Sequence, residues 1–210
     1  MLKSPPESHL TAHELRVFRR LNTPVKIQDF LETLPINFEK KGETCMSPRR
    51  VLREGKAHCI EGALFAAAVF LFHGQRPLLL DLKTNGEDDD HVLALFQWKT
   101  YWGAISKTNH AVLRYREPIY KTIRELALSC FHEYFTPKGK KVMVSYSRPF
   151  SLLRYRSFNW ITSEKNLWHI PRDLDRSPHI KIIPRGLRLR RADPLEIDAG
   201  NLRQFKSRHQ

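Results

Sequence analysis

The chain has 210 residues, enough for one well-filled core with a small appendage. A hydrophobic content of 41% is that of an ordinary globular protein and excludes wholesale disorder. A formal net charge of +14 suits nucleic acid, anionic lipid or an acidic partner, but without a nucleic-acid motif a solvated basic surface is favoured over nucleic-acid binding.

Ser4 to Ser8 reads as a loose leader. From Thr11, the spacing of Leu15, Phe18 and Leu21 predicts a helix, with Thr11 and Glu14 as a capping box. Thr23-Pro24 opens a second helix whose face carries Ile27, Phe30, Leu31 and Leu34, and Pro35 ends it. Ser47-Pro48 opens a third, Pro48 to Glu54, closed by Gly55. An alanine-rich helix then runs from Cys59 to His73-Gly74, followed by a buried strand over Leu78 to Leu82. His91 to Trp98 and Tyr101 to Lys107 form a hairpin about Lys99-Thr100. Pro118 to Phe135 reads as a helix and Val142 to Tyr146 as a strand.

Beyond Phe150 aromatics alternate with arginines (Arg154, Tyr155, Arg156, Phe158, Trp160). Such residues suit single-stranded nucleic acid, but equally an aromatic side packed on a core while arginines reach water; the structural alternative is favoured. In Arg185 to Arg191, Leu187 and Leu189 alternate with arginines as in a half-buried edge strand. The expected organisation is a leader and helix over 1–22, a core over 23–150, and a basic, aromatic extension over 151–210 packed on that core.

Cys59 carries most of the chemistry. A thiol at a helix start meets the positive end of the dipole and free N–H groups, which favour the thiolate. The acidic loop Glu87 to Asp90 delivers His91 to the start of a strand, where an imidazole can serve as proton acceptor. Cys45 and Cys130 read as small buried hydrophobes. Three cysteines cannot all pair within one chain, which fits a reducing cytoplasm better than a disulfide framework. The N-terminus lacks the apolar core of a signal peptide, and Leu64 to Phe72 is too short to span a bilayer.

The segment from Val25 to about Asn109 resembles the transglutaminase-like superfamily, whose papain-like cores carry Cys, His and Asp in that order. Four stretches carry the resemblance: Ile27 to Leu31 with Ser47-Pro48 and Val51 to Lys56; Cys59 and its small-residue helix; the strand Leu78 to Leu82; and Asp90-His91-Val92 leading into Tyr101 to Ile105. The resemblance implies an α+β fold in which N-terminal helices and a Cys-bearing central helix pack on a small antiparallel sheet. It implies Cys59 as nucleophile and His91 as base. The family's acid, a few residues past a tryptophan, falls here on Ser106, with Asn109 the nearest carboxamide. Either can orient an imidazole, but neither adds negative charge.

His58 and Trp102 are candidate substrate-binding residues. Asp88 to Asp90 lack the spacing of a calcium loop and no Cys-x-x-Cys pair exists, so neither metal nor cofactor is expected. The expected function is thiol chemistry on an amide or peptide bond of a protein or peptide substrate, by hydrolysis or transamidation. The alternative is a non-catalytic transglutaminase-like module that binds protein or an anionic ligand through its basic surface.

Overall fold

A computed structural model describes residues 9–155 and 159–206. The leader residues Ser4 to Ser8 and, in the aromatic segment, Arg156 and Phe158 lie outside the described residues. The chain order begins with α1 (Ala12–Arg20), α2 (Pro24–Thr33), α3 (Pro48–Glu54) and α4 (Cys59–Phe72). Each of the first three helices starts on a hydroxyl cap. Thr11 and Glu14 exchange side-chain bonds with each other's backbone N–H, Thr23 accepts from Lys26, and Ser47 accepts from Arg50. Gly55 ends α3 in the left-handed region at φ 62°, which no β-carbon opposes.

Helix α4 is apolar on every side, so it must be covered on every side. Beyond it lie β1 (Leu78–Thr84), β2 (His91–Trp98), β3 (Tyr101–Ile105), β4 (Arg116–Tyr120), α5 (Ile123–Phe131), β5 (Met143–Ser147) and β6 (Phe150–Ser151). A 3-10 turn, α6 (Asn159–Thr162), α7 (His169–Asp175), β7 (His179–Lys181) and α8 (Pro194–Asn201) complete the chain order. The strands form one antiparallel sheet in the order β4-β3-β2-β1-β5-β7, with β6 also paired to β1.

Alternation along the central strands separates two apolar layers. Leu79, Val92, Ala94 and Phe96 join α1 to α4 in one cluster, and Trp160, Ile161, Leu167, Ile170 and Leu174 bury into the same layer. Leu78, Leu80, Leu82, Leu93 and Leu95 point the other way, onto Leu126, Ala127 and Cys130 of α5. The architecture is therefore mixed α+β: among the described residues, eight α-helices and a seven-stranded sheet. The sheet is larger than expected, because the chain beyond residue 110 supplies four of its strands. No helix among the described residues is long and apolar enough to cross a membrane.

Two sequence expectations are corrected. Pro118 belongs to β4, not to a helix, and the helix begins only at Ile123, capped by Thr122. Proline suits that position because β4 is an edge strand with no ladder partner on its outer side. Arg185 to Arg191 forms no strand, and Leu187 is 54% exposed, so its alternation with arginine buries nothing.

Candidate active site

His58 is the N-cap of α4, and Cys59 is the first helical residue, with its side chain partly exposed. The loop before β2 is fixed at both ends. Asp90 Oδ1 accepts from Thr84 N at 2.7 Å and Thr84 Oγ1 at 3.1 Å, and the Tyr134 hydroxyl donates to the Asp89 carbonyl. His91 thereby arrives beside the thiol, which lies between the His58 and His91 side chains and 4.0 Å from the Asp90 carbonyl. Burial alone would raise the Cys59 pKa. The bonds from His58 and then His91, with the charge of both rings, outweigh it and bring the thiol down to about 5. Cys45 is pushed the opposite way, to about 12, by burial and by the charge of Glu61. Burial raises Cys130 too.

His91 Nε2 lies 2.8 Å from Ser106 Oγ. The Ser106 hydroxyl donates to the Leu113 carbonyl, so it receives the His91 N–H, leaving Nδ1 for the sulfur. Ser106 is gripped by Gln28 of α2, whose amide accepts from Ser106 N at 3.0 Å and donates to Ser106 O at 2.9 Å. No carboxylate bonds His91 among the described residues. Asp81 bonds His179 Nε2 at 3.0 Å instead, and burial lifts its carboxyl to about 6 against that bond.

Asn109 is not the imidazole's partner. Its amide donates to Phe205 O at 2.9 Å and accepts from Phe205 N at 2.8 Å, tying down the C-terminal segment. Trp102 is likewise outside the site. It pairs with Gln97, six residues along β2 from His91, which at strand rise is about 20 Å away. His58, expected to meet substrate, lines neither of the cavities that flank the thiol.

Those two cavities share Cys59 and Asp90. One, of about 350 Å³, is of mixed polarity and bounded by His91, Asp88, His110, Tyr134 and Arg203. The other, of about 440 Å³, is mostly apolar, with Ile60, Val92, Trp168, Pro171 and Leu174 on its walls. Asp81, Asp90 and Asp175 bring carboxylate oxygens within 4.8 Å of one another at its edge. Lys83 ion-pairs with Asp175 and His179 bonds Asp81, so the cluster is already partnered.

Sequence reasoning missed Gln28 and Glu61. Gln28 sits between apolar residues on the buried side of α2, a placement that flags a polar group with an internal task. Glu61 stands three residues after the N-cap, where a carboxylate reaches back to the cap N–H, here at 3.0 Å. No protein-family model matches the chain, and no curated protein matches it.

Proposed function

We propose that the chain is a cysteine-dependent hydrolase or acyltransferase acting on an amide or peptide bond, built on a papain-like, transglutaminase-like core. The observation that carries this is a partly exposed thiol on a helix N-terminus, next to His58 and sharing a cavity with His91, with a second cavity on its other side. The thiolate attacks the carbonyl carbon, and the C–N bond breaks as an imidazolium protonates the leaving nitrogen. His91 lines the 350 Å³ cavity and is placed for that transfer. The first-turn N–H groups of α4, which no carbonyl of the helix can reach, are the donors for the oxyanion. Water or an amine then releases the acyl group. An acyl donor lying across Cys59 would put an apolar substituent against Trp168 and its leaving side toward His91. Three free thiols in one chain suit a reducing compartment, which supports a cytoplasmic location.

A thiol-reactive amide mimic tests this. Mass spectrometry is expected to find the adduct on Cys59, with Cys45 and Cys130 unmodified, and His91→Ala is expected to slow its formation. Equal labelling of all three cysteines, or protection of Cys59, refutes an activated thiol.

A further inference from the structure

The histidine next to the thiol has surroundings unlike those of His91. His58 Nε2 lies 3.0 Å from the Thr44 carbonyl and 3.4 Å from both Glu39 Oε1 and Glu61 Oε1. Three acceptors around one nitrogen mean that this nitrogen carries a proton in every state of the ring. The other nitrogen is the one left for Cys59.

Glu61 is fully buried, at 0% exposure. Its oxygens accept from Thr44 Oγ1 at 2.7 Å, Met46 N at 2.9 Å, His58 N at 3.0 Å and Asn37 Nδ2 at 3.1 Å. Four donors converging on one carboxyl are the surroundings of an ionised group, and a buried charge of this kind needs a counter-charge. Among the described residues, the cation paired with Glu61 is His58.

We infer that His58 is the fixed cation of the site: an imidazolium that Glu61 holds in place and that keeps Cys59 a thiolate, while His91 carries the proton that moves. This rests on Cys59 being the nucleophile. His58 is then a catalytic residue through its bond to the reacting sulfur, and Glu61 a positioning residue. The arrangement places the missing negative charge behind His58 rather than behind His91.

The protons balance with His58 charged throughout. In acylation the S–C bond forms, the C–N bond breaks, and protonated His91 gives its proton to the leaving nitrogen. In deacylation neutral His91 takes a proton from water, the hydroxide adds to the thioester, and the thiolate leaves. Four ionisable groups face His58: Cys59 and Glu61 from α4, Glu39 from the segment after α2, and His91 across the sulfur. Burial would lower the His58 pKa, but the bond to Cys59 and the charges of Cys59 and Glu61 raise it to about 9.

The test reads thiolate formation as the rate of Cys59 alkylation by iodoacetamide against pH. His58→Gln is expected to slow labelling near pH 6 by roughly 10-fold, the effect of raising the thiol from about 5 to roughly 7. His58→Lys, which keeps a charge but shuttles no proton, is expected to restore most of it. Glu61→Gln is expected to move the labelling midpoint upward by a smaller amount. An unchanged midpoint in His58→Gln overturns the inference, and if His91→Ala still slows labelling, the cysteine enzyme survives. Wild-type Cys59 labelling no faster than Cys45 would instead sink the enzyme itself. Should the variants not fold, nitrogen NMR of the histidines in the wild type decides. At about pH 8, well above an ordinary imidazole's value, His58 should carry protons on both ring nitrogens, and a neutral ring overturns the inference.

Discussion

Ser106 supplies the acceptor that keeps the His91 ring turned toward the sulfur, and it does so without charge. Ser106→Ala leaves a buried N–H and the Leu113 carbonyl without partners, at a cost of about 1–3 kcal/mol. It is expected to lower the rate of probe capture by Cys59 roughly 10-fold, less than the ~10²–10⁴-fold that a positioned acid or base contributes in full. Asn109→Ala, by contrast, is expected to leave that rate near wild type while hydrogen exchange at Phe205 accelerates, since both its bonds go there. Strand register alone favours Ser106, and the chemistry of a better acceptor favours Asn109. The choice needs the position of the C-terminal segment, which lies about a hundred residues away in sequence and claims Asn109 first. Glu61 stands at a capping spacing from His58, a signal that sequence reasoning passed over. Its relation to the thiol was not legible, because that depends on how Thr44 and Glu39 close over the helix start.

At the scale of elements, α4 governs the site because it fixes Cys59 and is packed on all sides. Gly62 lets the helix approach the chain leaving β3: an added β-carbon would stand 2.5 Å from Lys107 Cβ. Gly62→Ala is therefore expected to destabilise the fold by about 1–3 kcal/mol through overpacking, outweighing the gain of up to ~1 kcal/mol in helix propensity. Urea unfolding should register the loss, and slower Cys59 alkylation in the folded protein should show that the site shifts with it. Helices α1 to α3 could be read closely from their caps, and β1 to β3 from apolar runs, because those signals are local. Strand β4 could not be. It is an exposed edge with Ile119 67% accessible, and its residues, followed by Lys121-Thr122, mimic a helix start. Strand β7 is three residues long and pairs with β5 only through its place in the sheet, so no periodicity announces it.

At the scale of the molecule, a buried lysine and a half-buried histidine pull stability in opposite directions as pH rises. Burial and the charge of Arg114 bring Lys107 down to about 8 from 10.5. Between those values the unfolded chain binds more protons than the folded one, so this term makes stability rise with pH. His58 works the other way. Its folded value, about 9, exceeds the unfolded 6.5, so its contribution is fully present below 6.5 and is lost as pH climbs through 9. Denaturant titrations are expected to show the rise missing from Lys107→Met; the lowered Cys59 thiol opposes the loss from His58, so His58→Gln is expected to change the slope between 6.5 and 9 rather than simply remove a fall. Equal pH slopes in wild type and variants would contradict both assignments. The large net charge, so prominent in the sequence, has no part in this balance, because most of its arginines and lysines are solvated.

The wall formed by Gly200, Asn201 and Arg203 comes from a segment far along the chain from Cys59. Residues 39 to 61, which gather Glu39, Thr44, His58 and Glu61 around the start of the Cys59 helix, are close neighbours in sequence. Loop-closure entropy makes nearby contacts form early and distant ones late. A refolding molecule is therefore expected to pass through a stage in which the Cys59 helix start has formed while the thiol is still uncovered, open to peroxide and to other chains. Refolding without reductant is expected to trap disulfide-linked dimers joined through Cys59, absent from Cys59→Ser and suppressed by a thiol present from the first second. Dimers joined equally through Cys45 and Cys130 would mean that activation comes only with the finished cleft.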